Sequence, residues 1–217
     1  MYLNVDYFEL RENIRLLSVF SLFFIAFLLK SDKVYELAFS WLLLIIILGN
    51  VRRISGHSRL KYFIRMTIYF LPYGIPSIFL LVDYYQNYIK LTIWVVFSFI
   101  IGISSILIKK ERLKIFLSEM YVALSKKQDK FRYILMIYNL IGAAICEELY
   151  FRQFIITTLH EYKYVAILVS AVYFLLSHYI LIWGSDFSKD DFITQFVIGL
   201  VSAIMYYFSG SIIPSIV

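Results

Sequence analysis

The sequence predicts an all-α membrane protein, a polytopic transmembrane helical bundle of about seven spans plus an interfacial amphipathic helix. Three observations carry that expectation. Of the 217 residues, 61% are hydrophobic and only 17% are charged, which no ordinary soluble domain of this size matches. The apolar residues are gathered into separate runs, several of them long enough to cross a bilayer. The 20 Phe and 19 Tyr suit a lipid face and its interfaces better than a small soluble core. Residues 1–217 read as a single membrane domain in three parts: four leading spans over 1–108, a basic interfacial helix and loop over 109–130, and a motif-bearing core over 131–217.

The first apolar run, Leu16 to Leu29, follows Arg11 and Arg15. A signal-peptide core is the rival reading. The run is followed by Lys30, Ser31, Asp32 and Lys33, with no small-residue cleavage site, so it is read as a retained span. A second span runs from about Val34 to Gly49. The third, Tyr62 to Val82, contains Pro72 and Pro76, each of which removes a backbone donor; a kink or break near Tyr73-Gly74 is expected. The fourth, Leu91 to Ile108, carries no charge.

From Lys109 to Lys130 the chain is at its most basic. Leu113, Phe116, Leu117, Met120, Tyr121 and Leu124 recur there at three- and four-residue spacing between charged residues, the pattern of an amphipathic helix lying in the interface, with a partner-binding helix as the alternative. A fifth span begins at Phe131, a sixth covers Tyr164 to Ser185, and a seventh, Phe192 to Val217, is interrupted by Ser209-Gly210-Ser211.

The net charge of +6 is an orientation signal in such a chain, not a nucleic-acid footprint. With the amino terminus inside, inner segments hold fourteen Lys and Arg against four outside, namely Lys30, Lys33, Lys90 and Lys163. The expected setting is therefore an integral membrane protein with a cytoplasmic amino terminus and the lipid bilayer as its surroundings. The single cysteine, Cys146, allows no internal disulfide and is read as a small buried hydrophobe rather than a reactive thiol.

The fifth span holds Cys146-Glu147-Glu148-Leu149-Tyr150-Phe151-Arg152. A charge at a bilayer centre costs roughly 2.5–3.5 kcal/mol on insertion scales, so charges inside a span mark a functional site by default. On a helix Glu148 and Arg152 are four apart and share a face, close enough to pair. Glu147 is turned by about 100° from Glu148 and points elsewhere. On the sixth span His178 follows Phe174 by four residues, on one face. A carboxylate and an imidazole on adjacent spans can hold a water between them, take its proton and return it to a leaving amine. Both are also potential zinc ligands. An ion or solute carrier using Glu147, Glu148, Arg152 and His178 as a relay is the weakest reading, because no inverted repeat is visible.

Glu147-Glu148-x-x-x-Arg152 followed by Phe174-x-x-x-His178 resembles the first two motifs of the CAAX-protease and bacteriocin-processing (CPBP or Abi) family of intramembrane endopeptidases. Gly199 and the stretch from Tyr206 to Pro214 resemble the family's approach to a third motif, HxxxN or HxxxD. The resemblance covers about Asn139 to Val217 and leaves the leading spans aside.

It implies an intramembrane endopeptidase, with or without a metal, in which Glu147 activates water, His178 helps hold that water or its transition state, and Glu148 and Arg152 brace the site. The implied catalytic set is therefore Glu147, Glu148, Arg152 and His178, with Glu147 and His178 the ligands if a divalent metal such as zinc is bound. The implied partners are a peptide or prenylated-protein substrate, or a bacteriocin, and no nucleic acid. The alternative is a non-catalytic bacteriocin self-immunity or binding protein on the same fold. No third motif follows Pro214, so the reading expects a chain shortened before it; neither His57 nor His160 fits the pattern.

Overall fold

The computed structural model describes residues 3–51, 53–54, 58–78, 80, 88–108, 114, 130–179 and 189–216. Among them there are helices and no strand. The elements are α1 (Leu3–Leu29), α2 (Asp32–Val51), α3 (Arg59–Ile78), α4 (Tyr88–Ile108) and α5 (Lys130–Glu148). A π-type segment (Leu149–Phe154) and the short α6 (Ile155–Thr158) prolong α5. A 3-10 turn (His160–Tyr162) then leads to α7 (Tyr164–Ser177), followed by α8 (Lys189–Ser209) and the short α9 (Ile213–Ile216). The chain is thus an all-α bundle. Four helical stretches are long and apolar enough to cross a membrane: Leu10–Leu29, Asp32–Val51, Tyr133–Thr158 and Asp190–Ser209. Tyr88–Ser104 and Tyr164–Ser177 are shorter apolar helices. This pattern fits an integral membrane protein.

Each expected apolar run contains a helix, with two differences in detail. Arg59, Lys61 and Arg65 in the first two turns of α3 make it less apolar than the other spans, and it is in neither group above. It also runs through Pro72 and Pro76 to Ile78 as one helix, so of the expected kink or break there is no break. Neighbouring helices and hydroxyl side chains can serve the backbone groups that a proline frees in such a setting. The expected interfacial helix over 109–130, apart from Lys114 and Lys130, and His57 lie outside the described residues.

Burial follows the helical period. On α2 the buried positions are Val34, Leu37, Ala38, Trp41, Leu44, Leu48 and Val51, a stripe at three- and four-residue steps, while Phe39, Leu43 and Ile46 are exposed. The stripe packs between α1 and α3 and meets α6. The turn from α1 to α2 closes with Ser31 N donating to the Ala26 carbonyl and with Lys30 at φ 50°, a left-handed cap made without glycine.

α7 buries Ala166, Ser170 and Ala171, small residues that let backbones approach. Gly199 of α8 exploits this: a Cβ there would lie 3.0 Å from Phe174 Cδ1 and 3.3 Å from the Ala171 carbonyl oxygen. α3 and α7 both pack on the π-type segment, and α4 packs against α8 and α9. Gly210, at φ 72°, ends α8 where the sequence breaks its apolar run.

Candidate active site

The site lies where α5 changes pitch. After Glu148 the helix widens, and the Ile155 N–H reaches back five residues to the Tyr150 carbonyl. Inside a membrane such a turn depends on neighbouring helices and hydroxyls to serve its backbone groups. Two serines do so here. Ser77 of α3 donates from Oγ to the Leu149 carbonyl oxygen at 2.6 Å, and Ser170 of α7 donates to the Phe151 carbonyl oxygen at 2.6 Å. Gln153 Nε2 donates to the Leu80 carbonyl at 3.1 Å. The wide turn is therefore pinned from both sides, and single π turns of this kind gather at functional sites.

Arg152 projects from that turn and is fully buried. Its Nε lies 3.1 Å from Glu148 Oε2, an electrostatic contact in which neither atom completes a hydrogen bond. Its Nη1 donates to Ser170 Oγ at 3.3 Å, and the guanidinium sits over the Phe174 ring, 4.7 Å from the centroid. Ser170 thus accepts from Arg152 while giving its own proton to Phe151. Ser215 of α9 lies against the Glu148 carboxyl.

Glu147 faces a different partner. Its Oε2 lies 3.8 Å from His178 Nε2. Across the ring, His178 Nδ1 lies 3.0 Å from the Phe174 carbonyl oxygen and 3.3 Å from Ser177 Oγ. A carbonyl oxygen only accepts, so Nδ1 carries the proton and Nε2 turns its lone pair toward Glu147. The 3.8 Å gap exceeds a hydrogen bond, yet one water at about 2.8 Å from each group fits between them. Both side chains are slightly open, at 13% for Glu147 and 11% for His178, against 0% for the Arg152 side chain. Cys146, beside Glu147, is a half-buried free thiol packed on the core.

The four residues singled out in the sequence thus lie together as two adjoining pairs, Glu148 with Arg152 and Glu147 with His178. The Glu147–His178 separation also falls within the ~4 Å that zinc–oxygen and zinc–nitrogen bonds span together. A catalytic zinc takes three protein ligands. Among the described residues no group of three His, Cys, Asp or Glu side chains comes together. These residues by themselves do not make a zinc site, and no step below is routed through a metal.

Sequence reasoning missed Ser77, Ser170 and the widened turn. Ser170 had a faint signal, since Ser170, Phe174 and His178 fall at four-residue steps on one helix face. Ser77 had none, being one hydroxyl beside a proline on a span without motifs.

Residues 129–217 match the family model described as Rce1-like, type II CAAX prenyl endopeptidase Rce1-like. This agrees with the CPBP resemblance that the two motifs carry and covers both pairs of the site. No curated protein and no solved structure matches the chain.

Proposed function

We propose that this chain, whose motif-bearing part belongs with the CAAX prenyl endopeptidases, hydrolyses a peptide bond of a prenylated or leader-bearing peptide inside the membrane, using water activated by Glu147. The observation that carries the reading is the Glu147–His178 gap, in which the carboxylate and an unprotonated Nε2 face one another across 3.8 Å. A water there donates one hydrogen to Glu147 and the other to His178 Nε2, leaving an oxygen lone pair for attack. As that oxygen bonds to the substrate carbonyl carbon, its proton passes to Glu147 and the carbonyl π pair moves onto the carbonyl oxygen. The tetrahedral species then collapses, the C–N bond breaks, and the proton on Glu147 goes to the departing amine nitrogen.

Glu148 and Arg152 act on this pair from behind. Their ion pair, with Ser170, fixes the turn that carries Glu147 and the ring of Phe174 whose carbonyl holds His178. The bias of basic residues supports an amino terminus on the cytoplasmic side, and a bacterial membrane is the setting we propose.

The test uses the purified chain in lipid nanodiscs with a farnesylated CAAX peptide and, separately, a leader-bearing peptide. Glu147→Gln and His178→Ala are each expected to lower turnover by about 10²–10⁴-fold, with the thermal transition kept. Equal turnover in wild type and both variants refutes the assignment. Protection of cells against a bacteriocin that persists in Glu147→Ala favours the non-catalytic immunity reading instead.

A further inference from the structure

The family match begins at residue 129, yet one side chain from outside it, Tyr73 of α3, comes to the same place. Its ring is fully buried, packs edge-on against Tyr150 with centroids 5.7 Å apart, and lies tilted against Phe151 at 5.8 Å. Both of those rings belong to the widened turn that follows Glu147 and Glu148. The Tyr73 hydroxyl ends among Tyr69, Ser177 and Glu147. Ser177 is the residue before His178 and touches its Nδ1. The hydroxyl therefore lies at the Glu147–His178 gap, approaching from a third helix.

That hydroxyl is buried and completes no hydrogen bond of ordinary geometry, with Tyr69 and Ser177 beside it. An unmade hydrogen bond at a buried phenol is costly, and Tyr150 on the widened turn avoids that cost: its Oη is paired with Ser40 Oγ at 3.0 Å. An acceptor missing from the Tyr73 hydroxyl can arrive with the substrate. A carbonyl attacked by the Glu147–His178 water collects negative charge on its oxygen, beside the groups among which the Tyr73 hydroxyl ends. Seclusion from bulk solvent adds to the worth of such a donor, because no water competes for it.

We infer that Tyr73 is a further catalytic residue, its hydroxyl donating a hydrogen bond to the carbonyl oxygen of the scissile peptide as the tetrahedral species forms. The inference rests on the endopeptidase reading above and adds a donor from a span without family motifs. Tyr73 keeps its proton throughout; only the hydrogen bond strengthens as the oxygen gains charge.

Tyr73→Phe keeps the ring and its packing and removes only the donor. Tyr150→Phe makes the same chemical change one ring away, at a hydroxyl whose partner lies outside the gap. Hydrolysis of the farnesylated peptide in nanodiscs is followed as kcat and KM. Binding is measured in parallel for a phosphinic analogue, which mimics the tetrahedral oxyanion, and for a non-cleavable ketomethylene analogue, which does not. Tyr73→Phe is expected to lower kcat about 10²-fold with KM little changed, and to weaken the phosphinic analogue by a similar factor while sparing the ketomethylene one. Tyr150→Phe is expected to leave both ratios as in wild type.

A Tyr73→Phe protein with kcat within threefold of wild type overturns the inference. So does a loss of kcat without selective weakening of the phosphinic analogue, or an equal loss in Tyr150→Phe. A wild type that neither hydrolyses the peptide nor prefers the phosphinic analogue sinks the endopeptidase reading itself, and Tyr73 with it. A wild type that does both beside an unaffected Tyr73→Phe removes Tyr73 alone.

Discussion

Two of the seams that hold α7 in the bundle are made of different chemistry. Where α7 meets α1 and α2 the polar contacts are neutral. Trp41 Nε1 donates to Ser18 Oγ at 3.0 Å, Tyr173 Oη donates to the Ser18 carbonyl at 3.3 Å, and the Trp41 and Tyr173 rings meet edge-on at 4.7 Å. Where α7 meets the widened turn of α5 they are ionic: Glu148 against Arg152, Arg152 against Ser170 and over Phe174, Glu147 opposite His178. Both seams bury aromatic rings, and at the ionic one Glu147 and His178 stay slightly open. The neutral seam therefore demonstrates that this bundle packs α7 without charge. Buried ion pairs stabilise little against apolar replacements of similar volume, so packing alone does not account for the second seam. What it adds is a fixed carboxylate and a fixed imidazole, positioned by a pair of charges that do not themselves face the gap.

The largest effect that separates the seams comes from breaking the ionic one on one side only. Arg152→Met leaves Glu148 buried beside hydrocarbon, and the expected cost is about 3–5 kcal/mol. Adding Glu148→Gln to Arg152→Met should return most of that stability without returning activity, because the turn regains its packing and not its charges. Trp41→Phe at the neutral seam removes one interhelical hydrogen bond and should cost about 0.6–1.7 kcal/mol. Reversible unfolding in mixed micelles measures all three. Equal costs for Arg152→Met and Trp41→Phe would erase the distinction between the seams.

The same contrast governs what the sequence revealed. The helical runs were legible because bilayer thickness and the helical period act on every residue of a span, and the buried stripe of α2 follows directly from that period. Glu147, Glu148, Arg152 and His178 were legible because charge inside hydrocarbon is conspicuous, and the four-residue steps put partners on common faces. Tyr73 and Ser77 were not. Nothing local marks Tyr73 among the tyrosines, since its place beside Glu147 and Ser177 depends on where α3 lies against α5 and α7. The widened turn escaped for a related reason: an extra residue per turn is decided by the serines of two other helices that serve its carbonyls, and Leu149–Phe154 reads as ordinary helix. The prolines of α3 pointed to a kink or break, and of the two the helix shows no break, since a surrounding bundle can serve the backbone groups that they free.

The smallest effect belongs to a third kind of contact, outside the spans, and it sharpens the contrast by being ionic without being buried. Lys33 Nζ, at the start of α2, lies 2.7 Å from Glu161 Oε1 in the turn before α7. The hydrogen bond from Lys33, and then its charge, hold the Glu161 carboxyl below the usual glutamate range. A carboxyl whose folded value lies below its unfolded one stabilises the fold above the unfolded value, about 4.3 for glutamate, and that contribution fades as pH falls through the folded value. Wild type should therefore exceed Lys33→Met in Tm slightly at pH 7, with the difference closing toward pH 3 and shrinking in high salt. Arg152→Met, compared over the same salt range, should keep its deficit, because water and counter-ions do not reach the interior pair. If salt erased both differences alike, the inner seam would be solvated and the separation drawn between the seams would fail.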